Sequence, residues 1–264
     1  MKIIESISRG KNTIKSIAKS IMLSNPVLAS LARMFIYGRR GFIRQASSGD
    51  IEKTFLIHLD FRGRNVYSIG SSGGDFTQFF AASVGKKGCV VAFEPNPNVY
   101  QHLKHRIGRD IGSNVLAVNM CVGLAQGNSL LIVRNDDTGT GSIDPDIQNQ
   151  IISEGDYHEI NVPICSLDSY VASNGGKAYP NFIKIDAEGA EFDILKGAVR
   201  VLQSCPELFI EIHGATRAQK EKNIEDIIRF LQEYGYSIYH IESGQKISFT
   251  NSKVAKEGHI YCCK

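Results

Sequence analysis

From about residue 54 onward the chain alternates short apolar runs with amphipathic stretches, a rhythm that leaves few ways to fold. The runs are NVYSIG (65–70), GCVVAFE (88–94), SNVLAVNM (113–120), NFIKID (181–186) and PELFIEIHG (206–214). Helical spacing fills the intervals. DFTQFFAASVG (75–85) opens with an acid, which suits a positive helix N-terminus. NPNVYQHLKHRIG (96–108) carries Pro97 near its first turn, where a missing N–H costs nothing. GAEFDILKGAVRVLQ (189–203) and AQKEKNIEDIIRFLQEYG (218–235) each read as one helix, the second turning Ile224, Ile227, Ile228 and Leu231 inward. This alternation predicts right-handed crossover units and a largely parallel, Rossmann-like α/β sheet. NSLLIV (128–133) and HEINVPI (158–164) read as further strands around a polar loop at 134–160. The chain closes on YSIYHIE (236–242) and HIYCC (259–263) with no long helix between, which predicts an antiparallel hairpin at one sheet edge.

Charge separates a second region. Residues 1–45 hold nine Lys or Arg against one acid, a balance of +8 that leaves −5 for the rest of a chain whose net charge is +3. Ile3, Ile7, Ile14, Ile17 and Ile21 recur near a helical repeat in that segment. We therefore divide the chain into a basic amphipathic helical extension with its linker (1–50) and a main domain (51–264). The extension has two readings: peripheral contact with an anionic membrane surface or a partner, and a helical cover packed on the main domain. The whole-chain balance singles out no partner, and no nucleic-acid partner is expected. No continuous apolar h-region marks the N-terminus as a secretory signal, and no apolar run reaches the roughly 18 residues that span a bilayer. Six cysteines at 89, 121, 165, 205, 262 and 263 form no CxxC pair and no zinc spacing. They read as reduced thiols in a cytoplasmic protein, with Cys262 and Cys263 packed at a strand end.

In a sheet of this class a ligand binds beyond the carboxyl ends of the strands, where strand order reverses. After the first strand comes GSSGGD (70–75), with Gly70 and Gly74 four apart. The spacing differs from the G-x-G-x-x-G of a dinucleotide fold, and Asp75 at the helix start would repel a pyrophosphate but not a sulfonium amino acid. After the second strand comes Glu94, an acid able to accept hydrogen bonds from both ribose hydroxyls of an adenosine ligand. Loop and acid together point to a nucleoside. After the third strand, Asn119 is the polar candidate for an adenine pocket, with Met120 or Cys121 as its wall. In FIKID, Phe182, Lys184 and Asp186 share one face, so a lysine and an aspartate in a central strand need each other or a ligand. Glu188 and Glu191 fall at the next helix start. Glu188 can face cofactor or substrate. Glu211 and His213 share a face of the following strand, and a neutral imidazole at its end is a candidate general base.

The segments YSIGSSGGDFT, VVAFEPNP, SLDSY, FIKIDAEGAEFDILKGA and PELFIEIHG occur in this order over about 66–213. With them the chain resembles the FkbM family of S-adenosylmethionine-dependent methyltransferases. The resemblance implies the seven-stranded methyltransferase sheet with its terminal antiparallel hairpin. It implies methyl transfer, most often to a hydroxyl oxygen of a sugar, glycolipid or natural product. It assigns Gly70 and Gly74 to the cofactor loop, Glu94 to the ribose, and Asp186 and Glu188 to the floor of the site. Family members place an acid at the start of the first motif; here the position is Ser68, followed by Ser71 and Ser72 in place of Ala-Asn. Backbone carbonyls or Asp75 then stand in at the amino group of the cofactor. The expected cofactor-binding set is Ser68, Gly70, Gly74, Asp75, Glu94, Asn119 and Glu188, and the expected catalytic candidates are His213 and Asp186. Asp186, Glu188 and Glu211 alternatively hold a divalent cation that binds a sugar diol. Two other readings stay open: a weak or inactive methyltransferase-fold binding module, and a nucleotide-dependent oxidoreductase.

Overall fold

The apolar runs become strands in the computed structural model, which describes Phe42 and residues 50–264 other than 109–111, 136–139 and 176–178. The basic extension with its linker thus lies outside the described residues except for Phe42 and Asp50. In chain order the strands are β1 (Asn65–Ile69), β2 (Cys89–Phe93), β3 (Val115–Val118), β4 (Cys121–Val122), β5 (Gly127–Arg134), β6 (Gly141–Ser142), β7 (Tyr157–Cys165), β8 (Phe182–Ile185), β9 (Glu207–Glu211), β10 (Ser237–His240), β11 (Lys246–Ile247) and β12 (His259–Cys263). The helices are α1 (Ile51–Leu56), α2 (Asp75–Val84), α3 (Pro97–Arg106), α4 (Pro145–Glu154), α5 (Leu167–Ser173), α6 (Glu191–Lys196), α7 (Val199–Gln203) and α8 (Arg217–Glu233).

The main sheet runs β11-β10-β12-β9-β8-β1-β2-β3. From β9 to β3 all neighbours are parallel. β12 then returns antiparallel between β9 and β10. The closing pair is antiparallel as expected, but its last strand lies inside the sheet, and β10 with the short β11 forms the edge. Burial explains this order: Ile260 and Cys262 are fully buried and take neighbours on both sides. The chain leaves β1 for β2 and β3 on one side and reaches β8 and β9 on the other, so strand order reverses between β1 and β8.

Strand alternation sorts the two faces. Val66, Phe182 and Phe209 pack with Leu56, Phe79, Phe80 and Val84 of α1 and α2. Tyr67, Ile69, Ile183, Ile185, Leu208 and Ile210 pack with Ile194, Leu195, Ile224, Ile227 and Ile228 of α6 and α8. Each fully buried side chain of this size contributes about 1.5–3 kcal/mol. The pairs Ser68↔Lys184 and Ile69↔Ile185 fix the register of β1 on β8. That register brings the turn after β1 against the turn after β8, where Asp186 N–H donates to Ile69 O at 3.1 Å.

Two expectations need correction. The segment 134–160 is not a loop: its middle is α4, capped by Asp144 with Pro145 at its start and Ile147 and Ile151 buried. The flanking strands belong to a second sheet, β4-β7-β5-β6. The single helix expected at 189–203 is two, α6 and α7. A Cβ on Gly197 would sit 2.2 Å from Gly123 O, so the backbones touch at this junction. Asp168 then accepts from Arg200 N and Val201 N, which starts the new helix. All six cysteines are free thiols, and burial raises Cys262 well above its ordinary pKa. Among the described residues no helix is long and apolar enough to cross a membrane.

Candidate functional site

A cavity of about 290 Å3 opens at the reversal point, beyond the carboxyl ends of β1, β2 and β8. Gly70 and Ser72, Glu94, Asp186 and Glu188 line it from those turns, and Thr140, Gly141 and Ile143 close it from the second sheet. The turns take sharp conformations. Gly70, Gly74 and Gly189 have φ of 75°, 87° and 103°, and the non-glycine residues Ser72 and Glu188 have 45° and 47°. A left-handed backbone costs an ordinary residue about 1–2 kcal/mol, and such strain gathers at functional sites. Gly70 also has no room for a side chain: a Cβ there would lie 1.7 Å from Asp186 O.

Glu94 is buried at the end of β2. One carboxylate oxygen accepts from Ser72 N at 2.8 Å, the other from Asn96 N at 3.0 Å. Each oxygen keeps a lone pair for a ligand hydroxyl. Burial pushes this carboxyl up to about 7 although the two N–H donors favour its charge. Asn119 lies outside the cavity lining. Its amide donates to Glu94 O and Pro95 O, so it braces the Glu94 turn from below, while Met120, Cys121 and Val122 form the wall.

Asp186 and His213 meet. Asp186 Oδ2 accepts from Lys184 Nζ at 2.9 Å, and Oδ1 lies 3.9 Å from His213 Nε2. His213 Nδ1 donates to the buried Glu191 Oε1 at 2.8 Å. That oxygen also accepts from Ala187 N and Gly189 N, which holds the turn bearing Glu188. Glu188 and Glu211 each approach His213 Nε2 at 3.7 Å. Burial works against the charged imidazole, but the hydrogen bond and charge of Glu191, with Glu188 and Glu211, outweigh it and raise His213 to about 9. Asp186, Glu211 and His213 also each offer a ligand atom within 4.8 Å of the others, a spacing that fits a metal ion.

The remaining expected residues lie further out. Ser68 is fully buried in β1; its hydroxyl reaches no hydrogen-bond partner among the described residues, and its carbonyl accepts from Ser71 Oγ. Asp75 sits on the outer side of the glycine turn, paired with Arg106 at 3.0 Å. Arg106 also donates to Gly73 O and Gln78 Oε1, so it ties α3 to that turn. Gly74 caps α2. The sequence reading missed the role of Glu191. Its signal was the Glu at the helix start, two residues past Gly189.

The profile of the methyltransferase FkbM domain matches residues 63–238. The chain belongs to this family. A hexuronic acid methyltransferase, AglP of Haloferax volcanii, is 26% identical over 168 residues. The match covers 64% of this chain and 61% of that protein. Among solved structures, this chain is similar to the O-methyltransferase of Bacillus cereus in complex with SAH. That similarity has a TM-score of 0.46 at 13% identity, over 86% of this chain and 90% of the other. It is also similar to Aeropyrum pernix fibrillarin with bound S-adenosyl-L-methionine. The TM-score there is 0.43 at 11% identity, over 89% and 74%.

Proposed function

We propose that this FkbM methyltransferase is an O-methyltransferase acting on a hydroxyl of a sugar, glycolipid or natural product. The observation that carries the reading is the buried Glu94 carboxylate, fixed by two N–H donors at the rim of a cavity that also holds Asp186. The residues fit an adenosyl group. Gly70 leaves the floor open, Glu94 offers two oxygens for ribose hydroxyls, and Met120 and Val122 offer an apolar wall for the base. S-adenosylmethionine, when bound, supplies a methyl group already activated by a positive sulfur. The protein supplies orientation: the carboxylates of Asp186 and Glu188 face the same cavity and hold an acceptor hydroxyl against it. As the new carbon–oxygen bond forms, Asp186 Oδ1 takes the hydroxyl proton, because Oδ2 is engaged by Lys184. His213 already carries its proton and acts as a fixed positive charge beside Asp186 rather than as the base.

The test is the pH dependence of cofactor-product binding. Glu94 has a raised folded-state value, so its contribution to apo-protein stability is full below the unfolded value and fades as pH rises through about 7. Ribose binding needs the carboxylate and runs the other way. Affinity for S-adenosylhomocysteine by calorimetry is expected to rise about tenfold from pH 6 to pH 8, and Glu94→Gln is expected to flatten the profile. A flat wild-type profile sinks the ribose role.

The metal-fitting spacing of Asp186, Glu211 and His213 favours a second reading, in which a divalent cation binds the acceptor. A cation there must displace the His213 proton, which four carboxylates retain. Methyl transfer is therefore expected to survive chelation within about twofold. A loss restored by magnesium or manganese would establish the cation instead.

A further inference from the structure

Behind Asp186 the charged groups close into a ring. Lys184 Nζ lies 2.9 Å from Asp186 Oδ2 and 3.3 Å from Glu52 Oε1. Glu52 Oε2 is 3.7 Å from His259 Nε2, which is 3.6 Å from Glu211 Oε2. Glu211 Oε1 is 3.7 Å from His213 Nε2, which is 3.9 Å from Asp186 Oδ1. With both histidines protonated the six groups alternate in sign, each shared between two neighbours of opposite charge. Glu52 comes from α1 and His259 from β12, and both lie outside residues 63–238, the span that matches the family. His259 is built in: its ring stacks on Phe209 and its Nδ1 lies 2.7 Å from Glu242 Oε1.

We propose that Glu52 and His259 are positioning residues for methyl transfer, which share the charges of Lys184 and Glu211 so that Asp186 Oδ1 stays directed at the acceptor hydroxyl. The inference rests on the acceptor reading above. Its physics is that of a cation with two carboxylates. Lys184 is buried, and a buried cation left with one carboxylate draws it close and competes for both oxygens. Without Glu52, Lys184 takes Asp186 alone. Without His259, Glu211 faces Glu52 with no cation between them, and His213 turns to Glu211 and away from Asp186.

The experiment uses the full chain with Glu52→Gln, Glu52→Asp and His259→Phe, the last keeping the stack on Phe209. Glu52→Gln and His259→Phe are expected to lower kcat by about tenfold to a hundredfold, with KM and S-adenosylhomocysteine affinity within about twofold. Glu52→Asp is expected to restore most of kcat. Nitrogen-detected NMR of the His213 ring is expected to shift in Glu52→Gln, although Glu52 does not touch His213. Unchanged kcat in both folded variants overturns the proposal. So does a parallel loss of cofactor-product affinity that Glu52→Asp fails to rescue, and so do His213 resonances that stay in place. If the wild-type chain methylates no hydroxyl acceptor, the acceptor reading fails, and the His213 spectra still decide whether the ring exists.

Discussion

Gly70→Ala is expected to abolish binding of S-adenosylhomocysteine and to lower the melting temperature. The added methyl group would sit 1.7 Å from Asp186 O and 2.9 Å from its carbonyl carbon, both backbone atoms. Nothing there swings aside, so β1 and β8 must separate at their carboxyl ends or the turn must refold. The φ of 75° adds about 1–2 kcal/mol against alanine on its own. Separation would carry Ser72 N away from Glu94 Oε2 and open the cavity floor. Calorimetry with S-adenosylhomocysteine is expected to show no heat, and thermal unfolding to shift down by several degrees. Gly73→Ala is the control: a Cβ there meets only Arg106 Nη1, at 3.9 Å, and binding should persist. Wild-type affinity in Gly70→Ala would mean that the turn after β1 does not form the floor of the cofactor site.

Much of this was legible in the residues, for a definite reason. Parallel crossover units write themselves into short range: an apolar run, a turn with glycine, an amphipathic helix. Gly70, Glu94 and Asp186 could be placed because each follows a strand directly, and strand ends meet at one rim. The pairing of Lys184 with Asp186 was legible too, since two opposite charges two apart on a strand share a face. What failed was long range or overlooked. The break between α6 and α7 depends on Gly123 lying against Gly197, more than seventy residues away in sequence. Helix α4 had its signal, Asp144 and Pro145 followed by Ile147 and Ile151, hidden among polar neighbours. No local pattern revealed that His213 would be circled by carboxylates. Nor did any mark Glu52 or His259, whose partners come from strands far along the chain.

The largest expected effect on stability belongs to Lys184. Its ammonium is buried, held by Asp186 and Glu52, and lies 4.3 Å from the centre of the Phe76 ring. Burial disfavours the charge, but Asp186 and Glu52 more than offset this and raise the lysine above its ordinary pKa. Lys184→Met keeps the apolar stem and removes only the charge. Asp186 and Glu52 then lose the cation between them, and breaking a buried pair in this way costs about 3–5 kcal/mol. For a chain of this size that lowers the melting temperature by roughly 10 °C or more. The sign of the pH dependence separates this from a packing defect. Burial already raises the Glu52 carboxyl against the pull of Lys184, so without the lysine it rises further; the folded form is then favoured while Glu52 is protonated and loses that support as pH rises. The gap between wild type and variant should therefore widen from pH 5 to pH 8 in thermal melts. Adding Glu52→Leu to Lys184→Met removes one of the stranded charges and should recover part of the loss. A gap independent of pH, left unchanged by the second substitution, would show that the lysine is held by packing alone.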